Sequence, residues 1–599
     1  MASRGTPDVV IGIDFGMTQT GVAYCTAPWN NVKRFQQWGA IVSEVANKVP
    51  SRIAYSTHTN GFKGWGFNCD FDDPDSEIQE FFKLYLDPEY RDDFDGVTNA
   101  DAQRYYRDYL SLIHKHIVGF FNDRFPDFGS RAVEFIFSVP TTWRNPALIH
   151  DLEVIIRDAG FGRDGPRHMA KITLTEAEAA AVNVVADYVQ RDDVICICDA
   201  GGGTTDVNIL KLKSAKGQPI KLQPLSKVEG AAVGSALIDI RVQQYLEQRL
   251  MTAAHLLNAS PQEVAEKMMQ GRFERFKCTF GTSAANLPAL VLEIPSMPAG
   301  TNYPPADIQN SRLSISQTFL QKLFDEQVDA MIRLLTEQLV SLQTVVPGER
   351  VSYLVLSGGL GSSQYVRDQI KQYFQFGAGA TLSNTAGMHM LLAEDPQLAV
   401  VLGLVTDRAQ ELGQQTKTIT HRCARVSYGV VVNRRYDPQK HHSQVPYKDP
   451  RDKKLWALNQ IEWLIREGDH IDDNGVSKHV RAKLQKAQLN RPWRAQFVIS
   501  TEKRDNLPSD LTSQSVKTLC IVEADLRFID RIAKNAHWWQ LGQKYELAEF
   551  DLKLVAGSAD LRFQLFNNGR LITGENESVA VDWGSGAPVM DQKEYFDIK

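Results

Sequence analysis

Two short stretches of this sequence place glycine and threonine between apolar runs, and an aspartate begins each stretch. Asp14–Thr20 (DFGMTQT) follows VVIGI, and Asp199–Thr205 (DAGGGTT) follows VICIC. A further apolar run comes directly after each stretch, GVAYC in the first and DVNIL in the second. The shared pattern D-x-G-x-x-x-T predicts two β-hairpins that carry glycine and hydroxyl groups at their turns.

Such turns suit a phosphate ligand. Glycine lets backbone N–H groups approach phosphate oxygens closely, and threonine hydroxyls add further donors. An aspartate at a strand end suits Mg²⁺, which keeps several waters and takes few carboxylates directly. We therefore expect Asp14 and Asp199 to hold Mg²⁺ through water. The expected phosphate-binding residues are Gly16, Met17, Thr18, Gln19, Gly201, Gly202, Gly203 and Thr204. The alternative is a hairpin turn that binds no ligand, and this alternative applies more readily to the first stretch taken alone than to the second.

A third glycine cluster is Ser357–Ser363 (SGGLGSS), between the strand-like YLVL and the helical pattern QYVRDQIKQYF. A strand, a glycine turn and a helix together place backbone donors at a helix N-terminus. The cluster is neither a P-loop nor a dinucleotide-binding fingerprint. In combination with the two hairpins it predicts a nucleoside site that involves Gly358, Gly359, Gly361 and Ser362.

The order of patterns along the chain predicts an α/β region and then a β-rich one. Strand-like runs alternate with helical ones up to about residue 405, including a predicted helix over Ser316–Leu342. The repeated hairpin divides this region into two lobes, about 9–195 and 196–405, in a nucleotide-binding domain over 1–405. A polar linker is expected at 406–418. Alternating patterns such as Leu561, Phe563 and Leu565 then predict a mostly β module over 419–599.

Composition is that of a globular protein rather than a membrane or nucleic-acid-binding one. The 599 residues are 43% hydrophobic and 23% charged, with a net charge of −6. No apolar run is long enough to span a bilayer, and the amino end lacks the pattern of a signal peptide. The 7 cysteines show no metal-ligand spacing, so we expect buried reduced thiols. The expected location is the cytoplasm.

Together these elements resemble the actin-like ATPase superfamily and, most closely, a divergent, short-tailed branch of the seventy-kilodalton heat-shock chaperone family. The resemblance covers about residues 9–405. GIDFGMT resembles that family's first phosphate motif, DAGGGTTDVNIL its second and LSGGLGSS its adenosine motif. Three further segments match in the same order: FSVPTTW, ITLTEAEAAA and FERFKCTFG.

The resemblance implies a duplicated actin-like ATPase domain, two lobes around a nucleotide cleft, that binds ATP or ADP with Mg²⁺. It places Glu176 in the role of the catalytic glutamate, with Asp199, Asp14 and Lys83 around the phosphates. An exposed helical position is the alternative for Lys83, and a helix-capping acid is the alternative for Glu176. By the same resemblance, Glu274 and Lys277 are expected at the adenine and ribose, and Gly234 and Gly281 are expected among the nucleotide-binding residues.

Three departures from the family pattern bear on function. Met17 stands where the family's first turn usually has threonine, Leu148 where it has arginine, and the apolar linker is replaced by TDRAQELGQQTK. We therefore expect a chaperone-like ATP-binding protein with slow Mg²⁺-dependent hydrolysis. The alternatives are a nucleotide-dependent scaffold without meaningful hydrolysis and a small-molecule kinase of the same superfold.

The carboxyl-terminal module has two interpretations at this level. By analogy with the family it would bind polypeptide clients, for instance by addition of an extended strand at a sheet edge. Alternatively, it is a β-sandwich that only packs on the ATPase lobes. For the protein as a whole, no nucleic-acid partner and no membrane span are expected.

Overall fold

The computed structural model describes most of the chain. The described residues are 6–38, 46–59, 61–88, 90, 97–188, 190–285, 287–295, 297–419, 421–442, 444–472, 474–485, 491–527, 529–537, 539, 542–557, 561–572, 580–583 and 596–598. These residues form two compact units. The first unit is Met1–Trp143 with Glu153–Thr420, and the second is Arg144–Leu152 with His421–Lys599.

The first unit is mixed α/β. Its strands are β1 (Val9–Phe15), β2 (Gln19–Thr26), β3 (Lys33–Arg34), β4 (Lys48–Pro50), β5 (Ile53–Ser56), β6 (Phe62–Trp65), β7 (Ser76–Gln79), β8 (Val133–Val139), β9 (His168–Thr175), β10 (Val194–Ala200), β11 (Thr205–Leu212), β12 (Leu222–Pro224), β13 (Glu229–Ala231), β14 (Ala289–Glu293), β15 (Arg312–Ser316), β16 (Tyr353–Ser357) and β17 (His389–Leu392). The α-helices of the chain are α1 (Asn99–Arg124), α2 (Pro146–Asp158), α3 (Glu176–Tyr188), α4 (Ser235–Thr252), α5 (Pro261–Met268), α6 (Glu274–Thr279), α7 (Gln317–Val345), α8 (Gly358–Gly361), α9 (Gln364–Phe376) and α10 (Ala399–Gln414).

Two sheets of the first unit have the same topology. The first sheet has the order β3-β2-β1-β8-β9, with β4 also paired to β2. The second sheet has the order β12-β11-β10-β16-β17, with β13 also paired to β11. In each sheet the hairpin is antiparallel and the next two pairings are parallel. The repeat seen in the sequence therefore extends to whole sheets.

Helices α3 and α10 share a hydrophobic core with strands of both sheets. Their buried faces lie with residues of β1, β8, β10 and β11 in this core. Small residues allow the two helices to approach each other closely. A Cβ at Gly403 would lie 1.7 Å from the Ala179 carbonyl oxygen, so the backbones are in direct contact there. This packing holds the two hairpins in fixed positions.

The second unit is β-rich. Its strands are β18 (Arg422–Cys423), β19 (Ser427–Arg435), β20 (Tyr447–Lys448), β21 (Leu455–Ile465), β22 (His470–Ile471), β23 (Val476–Leu484), β24 (Trp493–Ser500), β25 (Lys517–Ala524), β26 (Arg531–Lys534), β27 (Tyr545–Ala556), β28 (Leu561–Asn567), β29 (Arg570–Leu571), β30 (Ala580–Trp583) and β31 (Asp597–Ile598). Two sheets, β20-β21-β19-β24-β25-β30 and β29-β28-β27-β23-β31, contribute to one core, as in a β-sandwich. The alternation at Leu561, Phe563 and Leu565 places all three side chains in that core.

The α/β character of the first region and the β-rich character of the second are confirmed. The helix expected over Ser316–Leu342 runs from Gln317 to Val345, with the Ser316 hydroxyl accepting from the Phe319 amide at its N-terminus. The stretch predicted as a linker, 406–418, is helical as far as Gln414. All 7 cysteines are free thiols. Among the helices of the described residues, none has the length and apolar character that crossing a bilayer requires.

Candidate functional site

The two glycine turns line one cavity. In the first hairpin the Gly16 amide donates to the Gln19 carbonyl at 3.1 Å, and in the second the Gly201 amide donates to the Thr204 carbonyl at 2.9 Å. The residues that line this first cavity include Gly16, Met17, Thr18, Gln19, Gly201, Gly202, Gly203 and Thr204. All eight residues predicted on the turns are therefore brought together, with Asp14, Lys83, Glu176 and Asp199 among the other lining residues.

Neighbouring segments hold each turn by its carbonyl groups. The amide of Ser51 donates to the Thr18 carbonyl at 2.9 Å. In the second turn, the first amides of α4 donate to the Gly201 and Gly202 carbonyls at 3.2 and 2.8 Å. Each turn is thus hydrogen-bonded on its carbonyl side.

The side chains of the first turn lie against the backbone of the second. A Cβ at Gly202 would lie 2.9 Å from the Thr18 methyl carbon, and one at Gly203 would lie 3.2 Å from Met17 Cγ. Met17 is itself buried. The absence of side chains on the second turn is therefore what allows the two turns to come this close.

Asp14 forms a buried ion pair that the sequence did not indicate. The Lys48 ammonium donates to Asp14 Oδ2 at 2.8 Å, and their side chains are only 13% and 5% exposed. The Ser138 hydroxyl lies 3.4 Å from the other carboxylate oxygen of Asp14. Lys48 also lines the first cavity, so a cation stands beside the aspartate of the first turn.

Lys83 and Glu176 form a second buried ion pair in the same cavity. The Lys83 ammonium donates to Glu176 Oε1 at 2.6 Å and also to the Phe15 carbonyl. Burial raises the pKa of the Glu176 carboxyl; the Asp14 charge adds to this effect, and the Lys83 charge opposes it. Lys83 is buried and precedes a short 3₁₀ turn, so the exposed helical position considered for it is wrong.

Asp199 is buried at the end of β10 and accepts a hydrogen bond from the Ser357 hydroxyl. Burial raises its pKa to about 7, against the lowering effect of that hydrogen bond. The nearby charges of Glu176 and Asp14 also raise it. An aspartate that titrates near neutral pH can accept or return a proton, which is the behaviour of a general base or acid.

Asp206 is a further buried carboxyl group beside Asp199, although it is not among the described residues that line the two cavities, and it was not among the predicted site residues. It lies directly opposite Asp199 in the β10–β11 pairing. Burial raises its pKa well above the ordinary value, with the Glu176 and Asp199 charges adding to the effect. Asp206 Oδ1 has no hydrogen-bond partner among the described residues. Its position in the motif DAGGGTTD was the available sequence signal, whereas no pattern around Lys48 indicated its role.

The charge in the first cavity favours an added cation. Four carboxyl groups line it, those of Asp14, Asp87, Glu176 and Asp199, against the ammonium groups of Lys48 and Lys83. Within the described residues, no three His, Cys, Asp or Glu side chains converge closely enough to hold a metal ion directly. This arrangement fits an ion that keeps most of its own waters, as Mg²⁺ does.

A second, larger cavity adjoins the first. The cavity volumes are about 190 Å³ for the first and 460 Å³ for the second, and both are lined by Met17, Thr18, Gln19, Ser235, Gly359 and Gln397. Glu274, Lys277 and Ser362 line the second cavity. The Lys277 ammonium donates to Asp239 Oδ2 at 2.6 Å, while Asp239 Oδ1 has no hydrogen-bond partner among the described residues. The E-x-x-K pair of α6 therefore lies in a polar pocket next to the turns.

The remaining predicted glycines have different positions. Gly358 and Gly359 line the first cavity. Gly358 has φ +80°, and a Cβ there would lie 2.2 Å from the Ala200 carbonyl oxygen, so only glycine fits without strain. Gly234, Gly281 and Gly361 are not among the described residues that line either cavity. Gly234 instead supports the second turn at Gly202, Gly281 packs on Tyr365, and Gly361 packs on Ala200.

Comparison with known protein families gives a match in the second unit. Residues 422–585 match the model of a family described as a domain of unknown function, DUF8568. No curated protein matches the chain. The matched residues lie entirely outside the two cavities, whose lining residues all belong to the first unit.

Proposed function

We propose that this protein binds ATP and ADP in the two adjoining cavities of its first unit and hydrolyses ATP slowly. In this proposal the first unit is a two-lobed actin-like ATPase domain of the seventy-kilodalton heat-shock type, in its divergent short-tailed branch. The observation that carries the proposal is the convergence of both glycine turns, Asp14, Asp199 and the Lys83–Glu176 pair on one cavity.

The shape and chemistry of the two cavities support a nucleotide with its phosphates in the first. The turns offer backbone and hydroxyl donors there, and two ammonium groups provide positive charge. The second cavity offers polar groups to a sugar and base, among them Glu274, Lys277 and the unpaired oxygen of Asp239. The matching topology of the two sheets supports the duplicated fold.

Hydrolysis requires a group that orients or deprotonates water and groups that stabilise charge on the phosphates. Asp199 suits the first task because its pKa lies near 7. Glu176, fixed by Lys83, is positioned to orient the same water. The turn amides and the Lys83 ammonium would stabilise negative charge on the terminal phosphate. Asp14 and Asp199 would hold Mg²⁺ through its waters, and the ion would neutralise phosphate charge when bound.

Calorimetry and turnover on a single preparation would test this proposal. We expect Mg²⁺-ATP and Mg²⁺-ADP to bind with a stoichiometry of about one, as for one composite site. Single-turnover measurements with labelled ATP should show slow release of phosphate. A protein that binds neither nucleotide, under conditions where its thermal unfolding is cooperative, would refute the assignment.

Met17 supports a second candidate, a nucleotide-dependent scaffold without meaningful hydrolysis. Its side chain lies against Gly202 and Gly203, in the space between the turns, and it offers no hydroxyl donor there. An apolar group at this point weakens stabilisation of the terminal phosphate more than it weakens binding of the nucleoside. Tight binding of ATP without phosphate release in single turnover would select the scaffold.

For the second unit we propose polypeptide binding at a sheet edge. Strand β20 has two residues and pairs on one side with β21. Near it, Val445 and Leu455 are 90% and 46% exposed, which leaves apolar side chains at an open edge. Fluorescence anisotropy with labelled extended peptides, on the full chain, would test this. Equal binding by the wild type and a Val445→Lys variant would argue against this edge.

A further inference from the structure

Lys48 lies on β4, beside the first hairpin, at a position where the second sheet has Gly230 on β13. In the first sheet, Asp14 lies opposite Gly21, and Gly21 lies opposite Lys48. In the second sheet, Asp199 lies opposite Asp206, and Asp206 lies opposite Gly230. Between the two sheets, the charged residue and the glycine have therefore exchanged strands. The charged residue is a lysine in the first sheet and an aspartate in the second.

In each sheet the glycine makes room for the charged side chain. A Cβ at Gly21 would lie 2.9 Å from Lys48 Cε, and one at Gly230 would lie 2.1 Å from Asp206 Oδ1. Strand β4 fixes the backbone of Lys48 beside the first turn, where Gln19 pairs with Pro50. The position of the ammonium group is thus built into the sheet rather than reached by a loose surface side chain.

The Lys48 ammonium group already neutralises Asp14, as a bound metal ion would. It donates to Asp14 Oδ2 at 2.8 Å in a largely buried pair. Water bound to Mg²⁺ would donate to the same carboxylate, so the lysine already supplies part of the positive charge that a hydrated ion would bring. An ammonium group has three N–H donors, and Asp14 uses one of them. The others can donate to phosphate oxygens in the cavity that Lys48 lines.

We propose that Lys48 acts as a built-in cation for the phosphates, so that nucleotide binding depends only weakly on Mg²⁺. This inference rests on the proposed function, since it concerns the same phosphate site. Lys48 neutralises Asp14 in the empty protein and donates to the phosphates when a nucleotide is bound. Mg²⁺ adds to this charge rather than supplying all of it.

The test is calorimetric binding of ATP and ADP in excess Mg²⁺ and in EDTA, at constant ionic strength. For the wild type we expect removal of Mg²⁺ to weaken ATP binding by less than about tenfold, because a buried cation remains. For Lys48→Met we expect a loss of at least about 30-fold on removal of Mg²⁺, the scale on which buried charge contacts count. Lys48→Arg keeps the charge and should behave as the wild type.

Each outcome decides between the proposals. Equal Mg²⁺ dependence in the wild type and Lys48→Met would overturn the role of Lys48 and leave the proposed function in place. Failure of the wild type to bind ATP with or without Mg²⁺ would overturn both. Lys48→Met leaves Asp14 buried without its cation, so its thermal unfolding is measured first. If that variant does not fold, the wild type still decides, because a loss above about 100-fold in EDTA contradicts a built-in cation.

Discussion

The two glycine hairpins share one topology, but different charges lie beside them. Each turn closes with one amide-to-carbonyl hydrogen bond, and each begins with a buried aspartate. In the first hairpin that aspartate is paired with Lys48. In the second hairpin it faces another carboxyl group, Asp206, and accepts a hydrogen bond from Ser357. Two sheets of the same topology thus place a cation beside one aspartate and a second carboxyl group beside the other.

In the proposed function, this difference gives the two aspartates separate tasks. Asp14, held by a lysine, suits the binding of charged ligands. Asp199, whose pKa burial raises to about 7, suits proton transfer. Four predictions test that division, from the largest expected effect to the smallest.

Replacement of Asp199 by asparagine should abolish most turnover while leaving nucleotide binding largely intact. General acid–base catalysis by a positioned side chain typically contributes about 10²–10⁴ in rate, and asparagine cannot accept the proton. Single-turnover hydrolysis and calorimetry on the same preparation would measure both quantities. The matched control is Asp72→Asn, whose side chain is 93% exposed. Unchanged turnover in Asp199→Asn would remove Asp199 from the mechanism.

Alanine at the first glycine of each turn should have unequal effects. A Cβ at Gly16 would lie 2.4 Å from the Gln19 carbonyl oxygen, whereas a Cβ at Gly201 would lie 3.6 Å from that of Thr204. We expect Gly16→Ala to lower the free energy of unfolding by about 1–3 kcal/mol, as overpacking does. Gly201→Ala should change it by less than about 0.5 kcal/mol. Thermal unfolding of the two variants provides the comparison, and equal losses would mean that the turns are strained alike.

Turnover should rise with pH through neutrality. With a pKa of about 7 before Mg²⁺ binds, Asp199 is mostly protonated at pH 6 and mostly ionised at pH 8. A base role therefore predicts an increase between them of at most about tenfold, because a bound Mg²⁺ lowers this pKa. Ser357→Ala removes a hydrogen bond that lowers this pKa, so its profile should move to higher pH. The residual turnover of Asp199→Asn should lack this step. A rate that falls over this pH range would contradict the assignment of Asp199 as base.

Threonine in place of Met17 should make the first turn more like the second. One added hydroxyl donor is worth about 0.5–1.5 kcal/mol, which corresponds to about a 2–10-fold faster hydrolysis. Turnover in saturating ATP would show the gain, with Met251→Thr as the control because Met251 is 62% exposed. If Met17→Thr hydrolyses no faster than the wild type, the missing hydroxyl is not what limits the rate.

Much of the fold was predictable because it depends on local patterns. The runs VVIGI and VICIC form strands that are buried on both faces, which is why they are continuously apolar instead of alternating between apolar and polar residues. The turn at Asn567-Asn568-Gly569 connects β28 and β29 as its residue types indicate. The polar stretch after Val405 was wrongly predicted to be a linker. Helix α10 instead continues through it to Gln414, with its inner face buried and its outer face polar.

The candidate site was predictable only in part. Residues within motifs, such as Gly201 and Glu176, line the cavity as expected. Lys48 was missed because its neighbours in sequence carry no motif, and its partner Asp14 lies 34 residues away. Gly281 was expected to bind the nucleotide, but its backbone packs on Tyr365 of α9. Contacts between distant segments decide such positions, and spacing along the chain does not record them.

By itself, the sequence determined the hairpins, their glycine turns and the aspartates that begin them, because short-range sterics and apolar periodicity act between neighbours. Only the tertiary structure decided which charge stands beside each aspartate. Strand pairing places Lys48 next to Gly21 and Asp206 next to Gly230, and burial between packed sheets and helices raises the pKa of Asp199. Both effects depend on which strands become neighbours, and therefore on the fold as a whole.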